Sequence, residues 1–168
     1  MTFTFQSFQE YIKQLCIKHK VVDHQENVRQ TFFRMDEVEQ AYAQSSIAQS
    51  PYVKVDDAVG YFTGKGGQDA FEWSVVLQSL HRVDPTVGNL SDNIESARQV
   101  TLDILIDFYL RMMEDYENGD ICDGIKTMNI RHPEFAPLGP EGQNEYGWLL
   151  RMTFSTNVPK YDASKWID

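Results

Sequence analysis

Two cysteines in 168 residues, Cys16 and Cys122, are too few and too far apart for a disulfide framework, and neither stands in a CxxC pair. The sequence predicts free buried thiols rather than a disulfide or a zinc site. No stretch reaches the ~18 consecutive apolar residues that a membrane span requires. The opening MTFTFQSFQEYIK has neither the basic start nor the apolar middle of a signal peptide, so the expectation is a cytoplasmic protein without a membrane partner. Positive charge is scarce as well: 15 Lys and Arg stand against 25 Asp and Glu, a formal net charge of −10. Binding a phosphate backbone needs clustered cations that displace counterions, so nucleic acid is excluded from the expected partners.

The motifs of catalysis are equally thin. Gly60, Gly64, Lys65, Gly66 and Gly67 cluster like a phosphate loop, but the spacing is one residue short. Gly66 also replaces the hydroxyl residue that would hold magnesium, and the segment joins strand to strand. His19, His24, His81 and His132 lie on four separate segments with no HExxH spacing. The acidic run DYENGDICDG has its glycine and final carboxylate misplaced for a calcium loop. No Ser, Cys or Thr sits in a GxSxG context, and Asp56 and Asp57 point to opposite faces of a strand. No catalytic, cofactor-binding or metal-ligating residue is assigned, and no cofactor is expected.

What the chain does have is a long amphipathic run, Asp92 to Gly119. Ile94, Ala97, Thr101, Leu105, Phe108 and Met112 step by three and four, with Leu102, Ile106, Tyr109, Met113 and Tyr116 as a second stripe beside them. Asp103, Asp107 and Glu114 fall on the wet side, where Asp107 and Arg111 are spaced for an i,i+4 pair. Asp92 and Glu95 resemble a capping box, and Gly119 suits a left-handed stop. A helix this apolar must lie across a sheet or other helices. The prediction is that Leu105, Phe108 and Met112 pack on the face carrying Trp73, Val75, Leu150 and Met152.

The flanks supply that sheet. An N-terminal helix runs from Thr4 with Phe5, Phe8, Ile12, Leu15 and Cys16 along one side, and a second helical stretch is expected within ENVRQTFFRMDEVEQAYAQSS, clearest over Asp36 to Ser45, with Phe32, Phe33 and Met35 lacking a clean period. Ser50-Pro51 turns the chain extended. Residues 52–63 alternate as a strand with a break or bulge at Asp57 to Gly60, and 64–69 read as a hairpin loop. Phe71, Trp73, Val75 and Leu77 then share one face of the next strand. IKTMNIR forms a third strand, and the prolines of 132–145 predict an irregular loop. Loops 64–69 and 132–145 are expected to be mobile in the free protomer and ordered in an assembly. The closing strand buries Trp148, Leu150, Met152 and Phe154, with Arg151, Thr153 and Ser155 opposite, and PKYDASKWID is a surface arm. The fold class is α+β, one domain over 1–168: N-terminal helices, two β-hairpins in one antiparallel or mixed sheet, and a long central helix packed on it.

Taken in order, FFRMDEVEQAY, PYVKVDDAVGYF, FEWSVVLQSL, LRMMEDYENG and NEYGWLLRMTFSTN resemble a family of small phage-type proteins from contractile or long tails and their prophage remnants. They span most of residues 30 to 157. The layout is similar to that of phage tail terminator or tail-completion proteins. That resemblance implies a structural protein of virion assembly: a homo-oligomer, commonly a hexameric ring, that caps a tail tube and joins it to neck proteins. Such a subunit is made in the host-cell cytoplasm and incorporated into a phage or tail-like particle. No interface residue carries over, and the helix bearing Cys16 lies outside the matching stretch. Two other readings stand beside it: an acidic interaction or immunity-type inhibitor module that covers a basic partner, and a small enzyme of unrecognised type. Ring assembly, a concentrated acidic patch, or a pocket with convergent polar groups would respectively mark the three.

Overall fold

The computed structural model of the chain describes residues 3–26, 28–34, 48–64, 69–121, 125–128, 132–141 and 144–157. Its elements run α1 (Phe5–Lys18), β1 (Gln30–Arg34), β2 (Ala48–Val55), β3 (Val59–Gly64), β4 (Asp69–Arg82), α2 (Leu90–Asn118), β5 (Ile125–Met128), β6 (Glu134–Glu141) and β7 (Glu145–Asn157). The fold is α+β, with all seven strands in one mixed sheet. Among the described residues no helix is long and apolar enough to cross a membrane.

The helices begin where side chains can satisfy free backbone donors. Thr4 caps α1, its hydroxyl accepting from Ser7 N–H at 3.0 Å while its own N–H donates to Ser7 Oγ at 3.3 Å. α2 starts two residues before the Asp92–Glu95 pair that the sequence suggested as a capping box. Asn89 takes the cap instead, accepting from Ser91 N–H at 3.1 Å and leaving Asp92 inside the first turn, where its charge suits the helix dipole. The far end is as expected: Gly119 adopts φ 78°, and its N–H returns to the carbonyls of Asp115 and Tyr116.

β4 and β7 pair antiparallel along nearly their whole length, Ala70 opposite Asn157 through to Arg82 opposite Glu145. β2 and β3 lie end to end along the outer edge of β4; β6 and β5 do the same along β7; β1 pairs parallel with β2. Both helices cover one face. Phe8, Ile12, Leu15 and Cys16 of α1 and Ile104, Leu105, Phe108 and Met112 of α2 share one core with Val53, Val55, Val75, Leu77, Leu150, Met152 and Phe154. The expected seating of α2 on Val75, Leu150 and Met152 is observed, with Trp73 half-buried at its margin. Ile104 joins the buried stripe, whereas Ile106 of the second stripe is exposed.

Three expectations are corrected. Residues 30–34 are a strand, and its period is lost because Phe32 enters the main core while Phe33 packs with Tyr52 and Leu80 on the other face. Residues 134–141 are not irregular: β6 is an edge strand bonded only to β7, a position where proline's missing N–H costs nothing. The register shift between Leu138 and Glu141 takes up Gly139 and Pro140. Arg111 pairs not with Asp107 but with Glu114 at 3.3 Å and Asp115 at 2.8 Å. Residues 52–63 divide into β2 and β3 at Asp56, whose carboxylate is held by Lys54 Nζ at 3.0 Å and Gln78 Nε2 at 2.6 Å. The helix expected over Asp36 to Ser45, Cys122, the loop at 65–68 and the arm at 158–168 lie outside the described residues.

Phe108 is the side chain on which the seating of α2 most depends, being buried between α1, α2 and the sheet. Phe108→Ala is expected to lower stability by about 3–5 kcal/mol in denaturant melts. A loss under about 1 kcal/mol would contradict the packing.

Candidate functional site

The residues weighed from the sequence do not converge. His24 is buried, accepts from Thr31 N–H at 3.2 Å and meets Phe32 edge-on, a satisfied core histidine. His132 is exposed on another segment. Among the described residues no group of three His, Cys, Asp or Glu side chains could hold a metal ion. Gly60 and Gly64 of the glycine cluster lie within β3, and Lys65, Gly66 and Gly67 lie outside the described residues. The acidic run begins as the last turn of α2, where the carbonyl of Asp115 accepts from Asp120 and Ile121 N–H.

One Ser–His contact was not foreseen: Ser50 Oγ lies 2.8 Å from His81 Nδ1. The same hydroxyl accepts from Arg82 N–H at 3.0 Å, and the same nitrogen lies 2.8 Å from the Arg82 carbonyl. These bonds pin β2 to the end of β4, and no carboxylate bond to the ring is seen among the described residues. The pair acts as a strand fastener.

The sheet face away from the helices carries a ladder of paired polar groups. Glu145, fully buried, accepts from Tyr52 Oη at 2.9 Å and lies 3.6 Å from Arg82. Lys54, Asp56 and Gln78 form the next rung, and Arg151 with Glu134 at 2.8 Å a third. Among the described residues each of these charges is paired on this face.

β3 differs from the other sheet edges. Its sequence VGYFTG contains no charge and no proline, Val59 is 66% and Phe62 71% exposed, and among the described residues no strand pairs with its outer edge. Phe62 stacks edge-on against Phe71, which lies over Gly60 and meets Trp73, so an aromatic chain runs from the exposed rim into the core. The lack of charge was readable in the sequence; the exposure was not.

The second candidate lies between the helices. Tyr11 donates to Asp115 Oδ2 at 2.7 Å across the seam, and Asp115 in turn raises the pKa of Arg111 further above its ordinary value. Beside this seam a half-open cleft of about 370 Å³ is lined by Leu15, Lys18, His19, Asp107, Phe108 and Arg111. His19 is fixed at both ring nitrogens: Nδ1 accepts from Val22 N–H at 3.3 Å, so Nε2–H faces Asp107 Oδ2 at 3.2 Å. Because the lining comes from segments 88 residues apart in sequence, no local spacing announced it.

Cys16, the free thiol of α1, faces the core, and burial pushes its pKa well above the ordinary thiol range. The thiolate is the reactive form, so Cys16 should resist iodoacetamide at about pH 8 in the native protein and react once denaturant unfolds it. Peptide mass mapping separates it from Cys122. Native labelling as fast as that of a free cysteine peptide would contradict this burial.

No protein-family model and no curated protein matches this chain. The function is to be read from the surfaces above.

Proposed function

We propose that this chain is a non-enzymatic structural subunit of the tail terminator or tail-completion kind, assembling with identical copies and with a tail tube or neck protein through its sheet edges. One observation carries the reading: the apolar, uncharged edge of β3. An edge strand presents a row of unpaired N–H and C=O groups, and soluble proteins blunt such edges with charge, proline or a covering element. Here β6 has Pro137 and Pro140, β5 has Lys126 and β1 ends in Arg34, whereas β3 has none of these. Val59 and Phe62 add apolar area on its two faces, the mark of a surface that a partner covers. The long helix followed by a closing hairpin is the part of the order shared with the layout on which the family resemblance rests. A contact between β3 and a different surface of the next copy is head-to-tail, and such contacts form a ring where the rotation between copies closes. The charge of −10 per copy opposes that closure at low salt, so the tube serves as the template on which the ring completes.

The acidic balance also favours a second reading, a module that covers a basic partner. Light scattering with electron microscopy separates the two. A tail subunit forms rings of about six copies, alone at moderate salt or at the head-proximal end of tubes made with its genomic neighbours. Phe62→Asp should abolish the rings while leaving the circular-dichroism spectrum unchanged. A protein that stays monomeric in both settings, or tubes of regulated length formed in a deletion of its gene, would overturn the proposal. Salt-sensitive binding of that monomer to a basic protein would establish the second reading.

A further inference from the structure

Around the end of α1 cations and acids interleave, and most of the cations are paired. Lys13, Lys18 and Lys20 lie on or just after α1, with Arg29 and Arg111 nearby, since Arg29 donates to the Val21 carbonyl and Arg111 lines the cleft with Lys18. Lys13 is held by Glu26, whose carboxyl it keeps below the usual range, and Arg29 lies 3.7 Å from Asp23. Among the described residues neither Lys18 nor Lys20 has an acidic partner. A cation in the last turn of a helix complements its dipole, which accounts for Lys18 as a residue. It does not account for the cleft that Lys18 overlooks.

That cleft has the parts of a small-ligand site. Leu15 and Phe108 give it an apolar floor, and His19 stands edge-on to Phe108 with ring centroids 5.5 Å apart. Nδ1 and Nε2 both have partners, which orient the imidazole along the cleft wall. Arg111 is anchored by Asp115 and Glu114, but its guanidinium has five donors and remains 55% exposed. A volume of about 370 Å³ suits a molecule of a dozen or so heavy atoms.

We propose that the cleft between the end of α1 and the middle of α2 binds a small carboxylic acid with a flat apolar body. The body lies on Leu15, His19 and Phe108, and the carboxylate meets Lys18 and Arg111. Asp107, tied to His19, lines the same cleft one turn before Arg111 and repels an acid group placed beside it, which directs the carboxylate to Lys18 and Arg111. Two chemistries are required together: an acid group without a body finds only exposed cations, and a body without the acid leaves those cations unused.

The test is a titration of the full chain followed by two-dimensional NMR, with 4-phenylbutyrate as the probe, the uncharged 4-phenylbutyramide as its neutral match, and inorganic phosphate as the acid alone. The expected result is saturable shifts at Leu15, His19 and Phe108 with phenylbutyrate in the millimolar range, weakened by added salt, and little response to the other two. Lys18→Gln, a change at an exposed position that leaves the core intact, should weaken phenylbutyrate binding about threefold. Absence of shifts at about 10 mM, equal binding of the amide, equal binding of phosphate, or an unchanged affinity in Lys18→Gln would each overturn the assignment.

Discussion

The packing of α2 on the paired strands β4 and β7 is the contact on which the rest of the molecule depends. Every other strand reaches the sheet through one of these two: β2 and β3 bond to β4, β5 and β6 bond to β7, and β1 bonds only to β2. Ile104, Leu105, Phe108 and Met112 cover the seam between them, and each large side chain so buried contributes about 1.5–3 kcal/mol from apolar area alone. Close approach of the two strands is also required at Gly147, where any Cβ would run into the Ser79 carbonyl. α1 then closes the same core from the side of β1 and β2.

That arrangement leaves surfaces of different character. The sheet face away from α1 and α2 carries paired polar groups, Glu145 with Arg82 and Tyr52 and Asp56 with Lys54 and Gln78, beside the buried cluster of Phe33, Tyr52 and Leu80. The β3 rim is apolar and uncharged, while the cleft at the α1–α2 seam sets Lys18, Arg111 and Asp107 around Leu15 and Phe108. An edge strand without charge or proline presents unpaired backbone groups, and the net charge of −10 opposes the approach of like copies at low salt. The seam and that edge are built from different segments of the chain.

The sequence was legible where one face of an element is buried and the other is wet. α2, β4 and β7 have that pattern, and their buried residues Leu105, Phe108, Val75, Leu77, Leu150 and Met152 were named from spacing alone. β1 was illegible for the opposite reason: with Thr31, Phe32 and Phe33 all buried, alternation disappears. β6 was hidden by Pro137 and Pro140, which signal irregular chain unless the strand is known to lie at an edge. The cap at Asn89 was missed because Asp92 and Glu95 offered a competing signal two residues inside the helix. Neither candidate site could be read from spacing: exposure at Phe62 depends on what lies beyond the edge, and the cleft joins Lys18 and His19 to Asp107 and Arg111 only after the helices dock.

Native-state hydrogen exchange across the sheet tests this dependence most directly. The account predicts that amides in the centres of β4 and β7 and beneath them in α2 exchange only through global unfolding, with an opening free energy equal to that from denaturant melts. Amides of β3 and β6, which hang on the central pair from one side, should open earlier and separately. Exchange from β4 and β7 through openings smaller than global unfolding, while β3 stays closed, would contradict it.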